Sequence, residues 1–192
     1  FAPHFLFASK DNRDDTLLQT VCQAFASAGI CMRPATEYLP QILIPPGAVT
    51  PILATPRQWL DICFGWDMAK EMGRLDIGQT VVVKNQAVLA VEAIEGTDEC
   101  IRRAGEVCPS GGFTVVKVAK PQQDMRFDVP TIGALTLENI ARSKGTVLAI
   151  EAGKTIFLDP DRVMEMALRH RIVIVAVNEA EIAARRSLPR VA

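Results

Sequence analysis

The 192-residue sequence predicts an α/β fold in which helices flank a mixed sheet. Three observations carry that expectation. The most apolar runs, Ile172 to Val177 and Thr80 to Val83, are strand-sized and rich in β-branched residues. Helix-spaced apolar positions alternate with such runs in a coarse β-β-α-β-α-β-β-α-β order, which is not a strict βαβ repeat. Apolar residues make up 49% of the chain against 22% charged, enough material for a packed core.

The elements follow in order. Asp14 to Ala28 places Leu17, Leu18, Val21, Cys22, Phe25 and Ala28 on one helical face and stops at Gly29, and Ile30 to Met32 reads as a short partner strand. Gln41 to Thr55 is a connection in which Pro45, Pro46 and Pro51 exclude a long helix. A domain boundary is expected there, giving domains 1–54 and 55–192. Thr55-Pro56 opens a helix, because the hydroxyl caps free N–H groups and proline is tolerated at the first helical position. Its apolar face runs from Trp59 to Met72 and ends at Gly73; Trp59 and Trp66 are expected to pack in the core. Gln79 to Lys84 and Ala87 to Ala93, joined by Asn85-Gln86, have the spacing of a tight hairpin. A helix from Thr97 through Arg103, a strand from Phe113 to Ala119 and a polar loop from Lys120 to Thr131 come next. The remainder reads as helix Thr136 to Ser143, strands Thr146 to Ile150 and Thr155 to Leu158, a helix begun by Asp159-Pro160, and strand Ile172 to Val177.

Composition excludes several classes. A net charge of −1 gives no footprint for a nucleic-acid backbone, and no run approaches the roughly 18 apolar residues of a membrane span. Five cysteines, never spaced C-x-x-C, argue against a disulfide framework or zinc ribbon and predict a reducing, cytoplasmic setting. With only His4 and His170 there is little material for a histidine triad, and no P-loop, dinucleotide or zinc-protease motif occurs. The chain starts at Phe1 without a secretory leader, which suggests that a preceding portion is missing.

The segment most suggestive of chemistry is Lys117 to Gly133. Two lysines and Arg126 are suited to neutralising phosphoryl oxygens, and a carboxylate there is suited to holding a divalent cation or orienting water. The alternative is a solvated loop whose charges cancel. Glu92 to Glu99 is a second candidate, since Gly96 and the N–H groups after Thr97 can receive an anion; an ordinary capped helix start explains the same residues. Glu151-Ala152-Gly153-Lys154 reads as a plain turn.

Taken together, Leu75 to Gln79, Val91 to Asp98, Lys117 to Pro121 with Gln123, Arg126-Phe127-Asp128-Val129-Pro130-Thr131-Ile132-Gly133 and Glu151-Ala152-Gly153 occur in the order and spacing of one family. From Lys10 to Val177 the chain resembles the LpxI-type UDP-2,3-diacylglucosamine pyrophosphatases of lipid A biosynthesis. The resemblance implies a complete C-terminal domain plus the remnant of an N-terminal α/β domain, with the lipid-bearing nucleotide sugar held between domains. It further implies Mg²⁺-dependent hydrolysis of the diphosphate to UMP and 2,3-diacylglucosamine 1-phosphate. By position Asp128 becomes the catalytic carboxylate and metal ligand, and Lys117, Lys120, Gln123, Arg126, Thr131, Glu95, Thr97 and Asp98 become substrate-binding candidates. Such a substrate implies transient contact with the inner membrane surface, though no Lys/Arg-rich amphipathic anchor is evident. Oligomeric state stays open, with a homodimer among the options. The competing reading is a non-catalytic module that binds a nucleotide sugar or acyl sugar.

Overall fold

The computed structural model describes residues 14–187. His4 and the Lys10 to Arg13 end of the family resemblance lie outside the described residues. Two compact units are present. Residues 14–41 together with Gln123–Val129 form one, and Ile42–Gln122 with residues 130–187 form the other.

In the smaller unit, α1 (Asp14–Ser27) closes as its spacing predicts. Gly29, at φ +79°, lets the chain reverse, and the Ile30 N–H returns to the Phe25 carbonyl at 2.9 Å. The expected strand at Ile30 to Met32 is not formed. Those residues run irregularly toward Pro34, and the Met32 sulfur instead lies 3.4 Å from the Cys22 thiol.

The larger unit holds the sheet. Its strands are β1 (Gly47–Ala48), β2 (Thr80–Lys84), β3 (Ala87–Val91), β4 (Thr114–Lys117), β6 (Val147–Glu151) and β8 (Val173–Val177), in the spatial order β1-β8-β6-β4-β2-β3. β4, β6 and β8 are parallel, while β2, β3 and β1 run antiparallel to their neighbours. A separate parallel pair joins β5 (Thr131–Ile132) to β7 (Ile156–Phe157). This is the mixed α/β architecture that the sequence predicts.

Strict alternation divides the core. Val82, Val115, Leu148, Ile150 and Ile174 face α3 (Thr97–Val107), α4 (Ala134–Arg142) and α5 (Pro160–His170). Val81, Val83, Val116, Ala149 and Val175 face α2 (Pro56–Arg74) and α6 (Glu179–Ser187). Both faces are therefore buried, which explains the near-continuous apolar strands. Trp66 belongs to the second cluster, and Trp59 packs at its edge under the Arg185 guanidinium, 3.9 Å from the ring centre. β1 and α6 were not expected from the sequence. The first is two residues long within the proline-rich connection, and the second is a short polar helix anchored mainly by Ile182. No helix among the described residues is long and apolar enough to cross a membrane.

Local chemistry fixes the boundaries. Thr55 and Gln58 form a reciprocal capping box with Pro56 at the first helical position, so α2 starts where the sequence indicates. The β2–β3 turn places Asn85 at φ +54° and Gln86 at φ +58°, the two left-handed residues of a type I′ hairpin. Buried Asp61 of α2 stabilises it by accepting from both turn amides, at 3.0 and 2.6 Å. Replacing Gln86→Gly removes a side chain from a left-handed site and keeps the amide that Asp61 holds. It is expected to raise stability by about 0.5–1 kcal/mol, read as a higher denaturant midpoint; a lower midpoint would contradict the strain.

Candidate active site

In open α/β sheets, ligands bind outside the carboxyl ends of the parallel strands. Here those ends are Lys117, Glu151 and Val177. Two charged groups close this edge, one on each face of the sheet.

On the α3 face, Lys117 is only 8% exposed, and its ammonium donates to Thr97 Oγ1 at 2.8 Å. The Thr97 hydroxyl in turn donates to Glu92 Oε1 at 2.8 Å and lies 3.3 Å from the Thr80 hydroxyl. Because the single Thr97 hydrogen is committed to Glu92, Thr80 is the donor in that contact. The second oxygen of Glu92 accepts from the Gln79 N–H at 3.2 Å. A buried lysine is costly unless its charge is matched, and Glu92, relayed through one hydroxyl, matches it. The helix start at Thr97 is thus not an ordinary side-chain cap. Gly96 at φ +83° occupies the cap position with no side chain to bond, leaving Thr97 to serve Lys117 and Glu92.

Gly78 makes this arrangement possible. A Cβ there would lie 2.1 Å from the Glu92 carbonyl oxygen, so only glycine lets the two backbones approach.

On the α2 face, Lys70 Nζ lies 2.5 Å from Glu151 Oε2 and 3.0 Å from the Ala119 carbonyl. The same carboxylate oxygen accepts from the Ala119 N–H at 2.8 Å, and Lys154 meets Oε1 at 3.1 Å. Glu151 is therefore the buried last residue of β6 and not part of a plain turn. Burial lowers the Lys70 pKa below the ordinary lysine value, against the opposing pull of Glu151.

The neighbouring polar residues have partners as well. Lys120 meets Asp76, itself at φ +57°, at 2.9 Å, and Gln122 donates to the Gly73 carbonyl at 2.8 Å. Glu95 pairs with Arg103; backbone hydrogen bonding and then that guanidinium hold its carboxyl below the usual range. Asp98 lies in the first turn of α3, where a negative charge suits the helix dipole. Thr131 begins β5 opposite Ile156.

Within the smaller unit, Gln123 donates its amide to the Asp128 carbonyl at 2.6 Å and also to the Asp128 carboxylate. Arg126 grips Asp124 through two nitrogens, at 2.9 and 2.6 Å, which holds the Asp124 carboxyl below its usual pKa. The structure thus joins Lys117 to Thr97 and Gln123 to Asp128, and gives Lys120, Arg126 and Glu95 acidic or basic partners of their own.

Among the described residues, no three histidine, cysteine, aspartate or glutamate side chains gather as a metal cage. Magnesium at nucleotide sites commonly needs only one or two carboxylates, with phosphate and water completing the octahedron. Asp128, a hard oxygen donor oriented by an amide, fits that substrate-completed mode.

The model of the LpxI C-terminal domain matches residues 45–175, more than half of the chain. The chain belongs to the LpxI family. A curated relative, the UDP-2,3-diacylglucosamine pyrophosphatase LpxI of Caulobacter vibrioides, is 33% identical over 186 residues. That alignment covers 93% of the chain and 66% of the relative, so the chain spans just under two thirds of the relative's length. The matched region contains the LpxI sheet edge from Gly78 to Glu151, together with Asp128.

Sequence reasoning missed Lys70 and gave Glu92 and Glu151 the wrong weight. Lys70 carries no local signal, because it is one lysine on an amphipathic helix and its partner lies 81 residues away. Glu92 reads only as part of a segment that an ordinary capped helix start explains, and its neutralising lysine comes from β4, beyond the whole of α3 in sequence.

Proposed function

We propose that this chain contributes to hydrolysis of the diphosphate bond of UDP-2,3-diacylglucosamine, giving UMP and 2,3-diacylglucosamine 1-phosphate. The observation carrying this reading is the pre-neutralised, buried Lys117 at the carboxyl edge of the parallel strands, in a chain of the LpxI family. Lys117 and Lys120 supply positive charge to phosphoryl oxygens, and the Thr97 hydroxyl orients the first of them. Asp128 would hold Mg²⁺ through its carboxylate, with Gln123 fixing that carboxylate's direction. When bound, the ion neutralises phosphate charge and polarises the phosphorus to be attacked. Water adds to one phosphorus, the bond from that phosphorus to the bridging oxygen breaks, and the bridging oxygen leaves with the other phosphoryl group. Arg126 and Thr131 complete the proposed substrate contacts. The setting proposed is cytoplasmic, with the lipid reached at the membrane surface.

The test is product analysis of the full-length protein with UDP-2,3-diacylglucosamine. UMP should appear with Mg²⁺ and cease when the ion is chelated, and ¹⁸O-labelled water should place its label on a single product. Substrate-dependent thermal stabilisation without any UMP would reject hydrolysis in favour of a binding module.

A further inference from the structure

The Lys70–Glu151 pair lies on the opposite face of the sheet from Lys117, yet its hydrogen bonds converge on one residue of the same segment. Glu151 takes the N–H of Ala119 and Lys70 donates to its carbonyl. Ala119 lies between Lys117 and Lys120 in the chain, where β4 has ended and no regular element holds the backbone. Glu151 is buried and Lys70 half-buried, and an ion pair withdrawn from water is a poor device for stability alone, since well-packed apolar side chains of similar volume often serve as well or better. What such side chains cannot do is grip both polar groups of a peptide. Resting on the hydrolase reading above, we infer that Lys70 and Glu151 are positioning residues that clamp the backbone of Ala119 and thereby fix where Lys117 and Lys120 present their ammonium groups.

The clamp carries its own pH dependence. The charged groups facing Lys70 are Glu151 from β6, Lys154 from the turn after it and Glu179 from α6. Burial shifts its proton loss to lower pH than an ordinary lysine. As pH rises through that value Lys70 becomes neutral, Glu151 keeps only Lys154 as a counter-charge, and the Lys70 side of the clamp loosens. Arginine stays charged throughout this range.

The experiment uses full-length protein carrying Lys70→Met, Lys70→Arg or Glu151→Gln, with steady-state kinetics, a pH profile and backbone amide spectra. Displacement of catalytic groups predicts that Lys70→Met and Glu151→Gln lower kcat by about 10- to 100-fold, with KM changing by less than about threefold. The Ala119 amide resonance should move in Glu151→Gln. Lys70→Arg should restore most of kcat and carry the alkaline limb to higher pH. Wild-type kcat in Lys70→Met, an unmoved Ala119 amide, or an alkaline limb unchanged in Lys70→Arg would each overturn the clamp. If Lys70→Met fails to fold, the other two variants decide. A wild-type protein that releases no UMP, while Ala119 still moves in Glu151→Gln, would refute the hydrolase reading and leave the clamp standing.

Discussion

Asp128→Asn in the full-length protein is expected to lower UMP release by about 10²- to 10⁴-fold while leaving the fold intact. Asn preserves the size of the side chain and one carbonyl oxygen, so the Gln123 amide keeps an acceptor. The Asp128 N–H still reaches the Asp124 carbonyl at 3.1 Å, so the turn does not depend on the carboxylate charge. The negative charge is lost, and with it the hard anionic ligand proposed for magnesium. The measurements are UMP formation and the thermal midpoint of the two proteins. Full turnover in the variant would remove Asp128 from the chemistry, whereas a collapsed midpoint would assign it a structural role.

The second large effect is expected from Gly78→Ala. A methyl group 2.1 Å from the Glu92 carbonyl oxygen meets backbone, so relief requires one of the two chains to shift. Overpacking of this kind costs about 1–3 kcal/mol, to be read from denaturant midpoints. The shift also moves Glu92 away from Thr97, so Lys117 loses part of its relayed counter-charge and turnover should fall with stability. By contrast, Gly29 and Gly153 have open space where a Cβ would stand, which makes the Gly78 effect one of contact and not of backbone freedom. A variant with the wild-type midpoint and turnover would show that this approach tolerates a side chain.

The fold was legible wherever its determinants were local. Thr55, Pro56 and Gln58 specify the start of α2, Asn85-Gln86 specifies the hairpin, and unbroken runs of β-branched residues specify strands buried on both faces. Helix α6 was not legible, since one buried isoleucine among charged residues leaves almost no periodic signal. The candidate site was legible as residue types but not as partnerships. Lys117 and Thr97 were each singled out, but the bond between them depends on β4 lying beside β2 and on α3 packing over that pair. Lys70 and Glu151 needed the same tertiary information, because an ion pair between a helix and the end of a distant strand has no sequence period.

The division into two units has a practical consequence for dissecting the molecule. Gln123–Val129 belongs with residues 14–41, although it is flanked on both sides by sequence of the larger unit. The chain therefore crosses from one unit to the other three times, after residues 41, 122 and 129. No single proteolytic cut releases the smaller unit whole, and a recombinant fragment starting at residue 42 would carry Asp128 while lacking most of the unit that Asp128 belongs to. Inactivity of such a fragment would not localise catalysis to the deleted residues, because the deletion also removes the surroundings of a seven-residue excursion that remains in the fragment.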